Sequence, residues 1–104
     1  MKLDGHMIEY RGEKLYVQLR HYAGKRLRID LVNGDNVPHI TLTTNIPEQK
    51  LGRREVVIKS WAENDDICQE VKKCGLFEDT GKRVPASFAR AEIWKIREDL
   101  ELLD

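Results

Sequence analysis

The side chains able to do chemistry in this chain are few and scattered. Its three histidines are His6, His21 and His39, and its two cysteines are Cys68 and Cys74. Imidazoles and thiolates are the groups that titrate, attack or hold metals near neutral pH. A metal site needs two to four such ligands at workable spacing. The histidines are dispersed and the cysteines lack a second pair. Only a meeting of His21 with His39 across neighbouring strands leaves zinc open, and ordinary strand histidines are the stronger reading. Nucleophilic catalysis needs a Ser or Cys beside a base and an orienting acid. Neither Ser60 nor Ser87 sits in a nucleophile-elbow context, and Cys68 and Cys74 read as small apolar fillers on a helix. The run Asp79-Thr80-Gly81-Lys82-Arg83 echoes part of a phosphate-binding loop. Its upstream glycine is missing and no strand–loop–helix unit surrounds it, so a solvated turn is the reading. The sequence predicts no enzyme, no metal and no cofactor.

Binding is the chemistry that remains. Strand alternation sets Tyr16, Arg20 and Tyr22 on one outward face, beside Arg26 and Arg28 of the next strand and Thr41 and Thr43 of the one after. Rings and guanidinium groups on a sheet can stack bases and hold phosphates. The same residues anchor protein interfaces. The bland alternative is an ordinary solvent face, because exposed strands favour Tyr and Thr. Of the two binding readings a protein partner ranks ahead of nucleic acid or a nucleotide. Trp61 and Trp94 follow aliphatic neighbours at strand ends and read as packing rather than recognition anchors.

The elements that must position these residues are mostly strands. Residues 7–10 and 14–22 flank the turn Arg11-Gly12-Glu13, with Leu15, Val17 and Leu19 on one face. Residues 26–32 repeat the pattern through Leu27, Ile29 and Leu31. Asn33-Gly34-Asp35-Asn36 is a turn, since Asn and Gly tolerate positive φ. Residues 38–47 alternate with Ile40, Leu42, Thr44 and Ile46 on one side. After a polar loop, Val56, Val57 and Ile58 mark another strand. A helix over about 64–74 follows. It has Asn64 as N-cap, Asp65 and Asp66 at the positive dipole end, and Ile67, Val71 and Cys74 at helical spacing. Lys72 and Lys73 lie in its last turn and Gly75 follows as its stop. Val84-Pro85-Ala86 cannot belong to a central strand, and residues 91–96 read as a closing strand. The predicted fold is α+β: a mostly antiparallel sheet of five to six strands with the helix packed on one face.

Bulk properties set the limits. A chain of 104 residues with 40% hydrophobic and 35% charged residues supports a single domain with one modest core. Residues 1–6 read as disordered or a cloning remnant, with Met7 a conceivable natural start, and residues 97–104 as a short helix or a frayed tail. Eighteen basic residues balance eighteen acidic ones. That lowers the expectation of non-specific DNA coating, which usually carries a basic excess. No apolar run approaches the ~20 residues of a membrane span, and the N-terminus lacks a signal-peptide core. Cys68 and Cys74 lie six apart on a helix, roughly 120° out of phase, a poor geometry for a disulfide. A reduced cytoplasmic protein is the simplest reading.

Several short motifs also carry a resemblance. They are Leu42-Thr43-Thr44-Asn45-Ile46-Pro47, Ser60-Trp61-Ala62-Glu63-Asn64, Cys74-Gly75-Leu76, Asp79-Thr80-Gly81-Lys82-Arg83 and Glu92-Ile93-Trp94-Lys95-Ile96 before an acidic tail. In this order they resemble an uncharacterised, domain-of-unknown-function family of small bacterial proteins found in conjugative elements, plasmids and phages. Thr44 stands where that family usually carries an aliphatic residue, and Cys74 near its polar position before Gly75. The resemblance brings no catalytic residue. It implies a small accessory protein of a mobile genetic element, one that binds a component of host defence.

Overall fold

The computed structural model describes residues 3–24, 26–61, 64–86 and 89–102. Along the chain run β1 (Met7–Tyr10), β2 (Glu13–His21), β3 (Leu27–Val32), β4 (Pro38–Thr41), β5 (Glu55–Ile58), α1 (Asp65–Lys73), β6 (Phe77–Ala86) and β7 (Ala89–Ile96). The class is α+β as predicted, but the single sheet of five to six strands is not found. Among the described residues seven strands form two antiparallel sheets, ordered β1-β2-β3-β4 and β5-β7-β6.

Local chemistry explains the first sheet. Tyr10 pairs with Glu13 across Arg11 and Gly12, whose φ angles of 52° and 76° are those of a two-residue hairpin loop matched to strand twist. In the next connection Asn33 Oδ1 accepts the N–H groups of Asp35 (2.9 Å) and Val37 (3.0 Å), folding the turn back on itself. Val17 faces Leu31 and Leu19 faces Ile29 across the β2–β3 pair, Leu15 faces Ile8 of β1, and all six are buried on one side of the sheet.

Beyond β4 the chain changes sheets. Thr43 forms an isolated bridge with Ile58, Thr44 N–H donates to Val57 O, and Lys59 N–H donates to Leu42 O. This seam joins the two sheets. Leu42 and Thr43 are therefore both buried although they point to opposite sides. Val56 and Ile58 join Trp94, Ile96, Phe77 and the first sheet in the main core, where Ile67, Cys68 and Val71 of α1 also pack. Val57 faces the other way, with Ile93, Ala91 and Val84, under Ile46, Leu51 and Trp61. The second sheet is thus covered on both faces, which is why Val56-Val57-Ile58 is continuously apolar. Pro85 lies on β6, an edge strand, while β7 is the centre of its sheet rather than merely its close.

Three local expectations are corrected. Asn64 makes no side-chain cap; it is buried and its Nδ2 donates to Thr41 O (3.4 Å), tying the helix start to β4. Residues 3–6 are not frayed: Leu3 is fully buried, Asp4 Oδ1 accepts Leu19 N–H at 2.7 Å, and Gly5 N–H donates to Val17 O at 2.7 Å. The tail is docked as far as residue 102, with Leu100 buried and Glu101 O accepting Leu3 N–H. Residues 1–2 and 103–104 lie outside the described residues.

Candidate functional site

The predicted binding residues divide into those the fold brings together and those it uses for itself. Tyr16, Arg20, Arg28 and Thr41 share the outer face of the first sheet with Gln18 and Asp30, because Tyr16 pairs with Val32, Gln18 with Asp30, Arg20 with Arg28, and Asp30 with Thr41. Arg28 Nε donates to Asp30 Oδ1 at 3.2 Å, and its guanidinium lies 5.8 Å from the centre of the Tyr22 ring. Asp30 itself is buried, so this contact supplies the countercharge that burial requires. Arg20 is exposed and has no ion-pair partner among the described residues. Two guanidinium-bearing side chains therefore stand directly opposite on neighbouring strands, an unfavourable cross-strand pair.

Tyr22 keeps its ring beside Arg28 but commits its hydroxyl to Thr43, while Thr43 and Arg26 leave that face. Thr43 is only 3% exposed; its Oγ1 accepts Ile29 N–H (3.2 Å) and lies 3.0 Å from the Tyr22 hydroxyl. Its outward placement is thus corrected: the switch to the second sheet covers the side that alternation leaves open. Arg26 donates Nη1 to Ile46 O (3.1 Å) and Nη2 to Pro47 O (2.9 Å) and to Gln49 O, bracing the loop after the seam.

The histidine pair is not assembled. His21 faces Leu27 at one end of the meander, whereas His39 lies at the other, next to Ile40, which faces Leu31. His39 Nδ1 is 3.8 Å from Glu13 Oε1. Among the described residues no three His, Cys, Asp or Glu side chains gather in metal-binding array. Cys68 is buried as expected, and burial pushes its thiol up to about 12. Cys74 is exposed rather than a core filler, its Sγ 3.4 Å from Glu70 O.

A charged cluster joins the helix to the second sheet. Lys72 Nζ lies 2.9 Å from Glu92 Oε1 and 3.4 Å from Asp79 Oδ2, while Arg83 holds Asp79 through two bonds of 3.0 Å. Trp94 Nε1 also donates to Glu92 Oε1 (3.0 Å). The hydrogen bonds from Arg83 hold Asp79 down at about 2. Burial raises the Glu92 carboxyl, but the bonds from Trp94 and Lys72 outweigh it and the net direction is down. Two acids and two bases neutralise each other here, so the cluster reads as a clasp between α1, β6 and β7.

One concave surface escaped the sequence reading. A groove of about 650 Å³ is lined by His21, Arg26, Leu27, Leu51, Arg53, Arg54 and Glu55, with Leu102 closing one side. Its floor is the turn at residues 52–55, closed by Glu55 N–H on Gly52 O (3.1 Å). Arg54 occupies that turn at φ 71°, in the left-handed region that favours glycine. Its Nη1 donates to Arg97 O (2.6 Å) and Leu100 O (2.9 Å), holding the segment that carries Leu102. The only sequence sign was Arg53-Arg54 after a glycine, inside what reads as a polar loop.

Fold and surfaces together define a small α+β domain of two antiparallel sheets joined by a seam, with a basic outer face and a basic groove. Compared with protein-family models, curated proteins and solved structures, the chain finds no match.

Proposed function

We propose that the protein is a non-enzymatic binding module, a cytoplasmic accessory protein of a mobile genetic element. On this reading it engages an acidic segment of a protein partner, a host-defence component, through the outer face of the first sheet. The observation that carries the reading is Arg20 opposite Arg28. Like charges in direct cross-strand register destabilise a sheet. Asp30 answers Arg28, Arg20 has no such partner among the described residues, and a partner's carboxylate at Arg20 relieves the remaining cost. Tyr16 and Gln18 flank the pair on the same strand and supply apolar contact and hydrogen bonding. The mobile-element and host-defence assignments rest on the motif resemblance alone. The buried, high-pKa thiol of Cys68 supports binding over nucleophilic chemistry.

The test is Arg20→Glu, which sets a carboxylate opposite Arg28. The fold should be unchanged or stabilised by a few tenths of a kcal/mol, about the size of a favourable cross-strand pair. A partner recovered from host lysate by the parent protein should be lost. An unchanged complex removes the face from consideration. The competing reading, nucleic acid on the same face, is favoured by the Tyr22 ring beside the Arg28 guanidinium, 5.8 Å from it. A steep fall of oligonucleotide affinity with salt would support it, and no binding at low salt would end it.

A further inference from the structure

We propose that the groove over the turn at residues 52–55 binds a small amphipathic anion. Its carboxylate or phosphate would be taken by Arg53 and Arg26, and its apolar body would lie on Leu27, Leu51 and Leu102. This site is separate from the outer sheet face and does not depend on the partner proposed for it.

Three observations converge. The first is size, since about 650 Å³ falls inside the ~300–1,000 Å³ of small-molecule sites. The second is charge. Arg26 is held by three carbonyl oxygens, which fill hydrogen bonds but bring no countercharge. A guanidinium has five N–H donors, so two of those on Arg26 remain for a ligand. Arg53 is exposed at the rim and within electrostatic reach of Glu98. Among the described residues the one carboxylate in the lining, Glu55, is already engaged, with Oε1 on Gly52 N–H (2.7 Å) and Oε2 on Lys82 Nζ (2.8 Å). Net positive charge beside three leucines suits an anion on an apolar body. The third is preorganisation. Arg26 fixes the 46–49 loop, Arg54 fixes residues 97–100, and Arg54 does so from a left-handed backbone conformation. Strain of that kind collects at ligand sites, where the surrounding structure over-determines it.

The experiment is titration of the full chain with octanoate, octyl phosphate and octanol, followed by backbone amide shifts. Saturable binding of at least one anion is expected, with shifts at Leu27, Leu51 and Arg53, and octanol weaker by about tenfold or more. The stronger anion identifies the headgroup. Arg53→Glu should weaken that anion by about tenfold or more while leaving the rest of the amide spectrum in place. Arg53→Gln keeps the test readable should the reversed charge disturb the turn. Arg20→Glu should leave the affinity unchanged, separating this site from the sheet face. Failure of both anions to saturate by about 1 mM, octanol binding as tightly as either, or full affinity in both Arg53 variants overturns the proposal.

Discussion

Arg54→Ala and Arg54→Gly separate two opposing effects of one residue. At φ 71° the arginine backbone costs about 1–2 kcal/mol relative to a relaxed conformation. Against this stand the Nη1 bonds to Arg97 O at 2.6 Å and Leu100 O at 2.9 Å. Hydrogen bonds from a charged donor contribute about 1.5–3 kcal/mol each when buried, and these partly wet ones belong at or below the low end. The contact with exposed Glu98 at 3.6 Å adds about 0–1 kcal/mol. Alanine keeps the strained φ and loses every contact, so it should destabilise by about 2–4 kcal/mol. Glycine also loses the contacts but relieves the strain, offset by about 0.5–1 kcal/mol of extra unfolded-state freedom. It should therefore be more stable than the alanine variant by about 0.5–1 kcal/mol and still less stable than the parent. At roughly 4–8 °C per kcal/mol for a domain of this size, urea and thermal unfolding resolve the order. Exchange of the Leu3 amide, bonded to Glu101 O just beyond the braced segment, should accelerate in both variants. A glycine variant as stable as the parent would refute the brace, and one less stable than alanine would refute the strain.

Asp79, held at about 2 against an ordinary 3.8, contributes stability above pH ~4 that fades as pH falls through 2. After solvent screening this is worth about 1 kcal/mol, so Asp79→Asn should be less stable than the parent at pH 6. The gap should shrink toward pH 2, and a constant gap would assign the effect to packing. Tyr22→Phe removes the hydroxyl from Thr43 and should cost about 1 kcal/mol, whereas Thr43→Val also strands the buried Ile29 N–H and should cost about 1–3 kcal/mol more by urea unfolding. A neutral thiol reagent should modify Cys74 alone in the folded protein and both cysteines in urea; rapid labelling of Cys68 without denaturant would contradict its burial.

The strands were legible because each local pattern has one physical meaning. Leu15-Val17-Leu19 and Leu27-Ile29-Leu31 alternate because one side of their sheet is core, and Arg11-Gly12 and the Asn33–Asn36 turn mark where backbone must reverse. Alternation does not say which strands become neighbours. That depends on the hydrogen bonds of Thr43, Thr44 and Lys59, made 13 to 17 residues away in sequence. At the seam both sides are covered, so Thr43 is buried although its parity predicts exposure. Asn64 has the right identity for a cap, but a burial site with a waiting carbonyl on Thr41 captured its side chain instead. The groove left no motif because its walls come from His21, Arg26, Leu27, residues 51–55 and Leu102.

Zero net charge is a poor guide to how this molecule meets a ligand, because of how its arginines are used. Arg26, Arg54 and Arg97 all donate to backbone carbonyls, bracing the 46–49 loop, the 97–100 segment and the end of α1 at Gly75. Arg97 and Arg54 also meet carboxylates, Asp99 at 2.6 Å and Glu98 at 3.6 Å, whereas the carbonyls around Arg26 satisfy its guanidinium geometrically and leave its charge in place. Glu9, Asp66 and Glu70 border another concavity, beside the β1–β2 hairpin and α1. A chain with eighteen charges of each sign thus has a positive groove and a positive sheet face within a neutral whole. Local fields of this kind steer anionic groups over distances comparable to the ~8 Å screening length at physiological salt. Recognition by either surface should therefore weaken with ionic strength even though the protein as a whole carries no net charge.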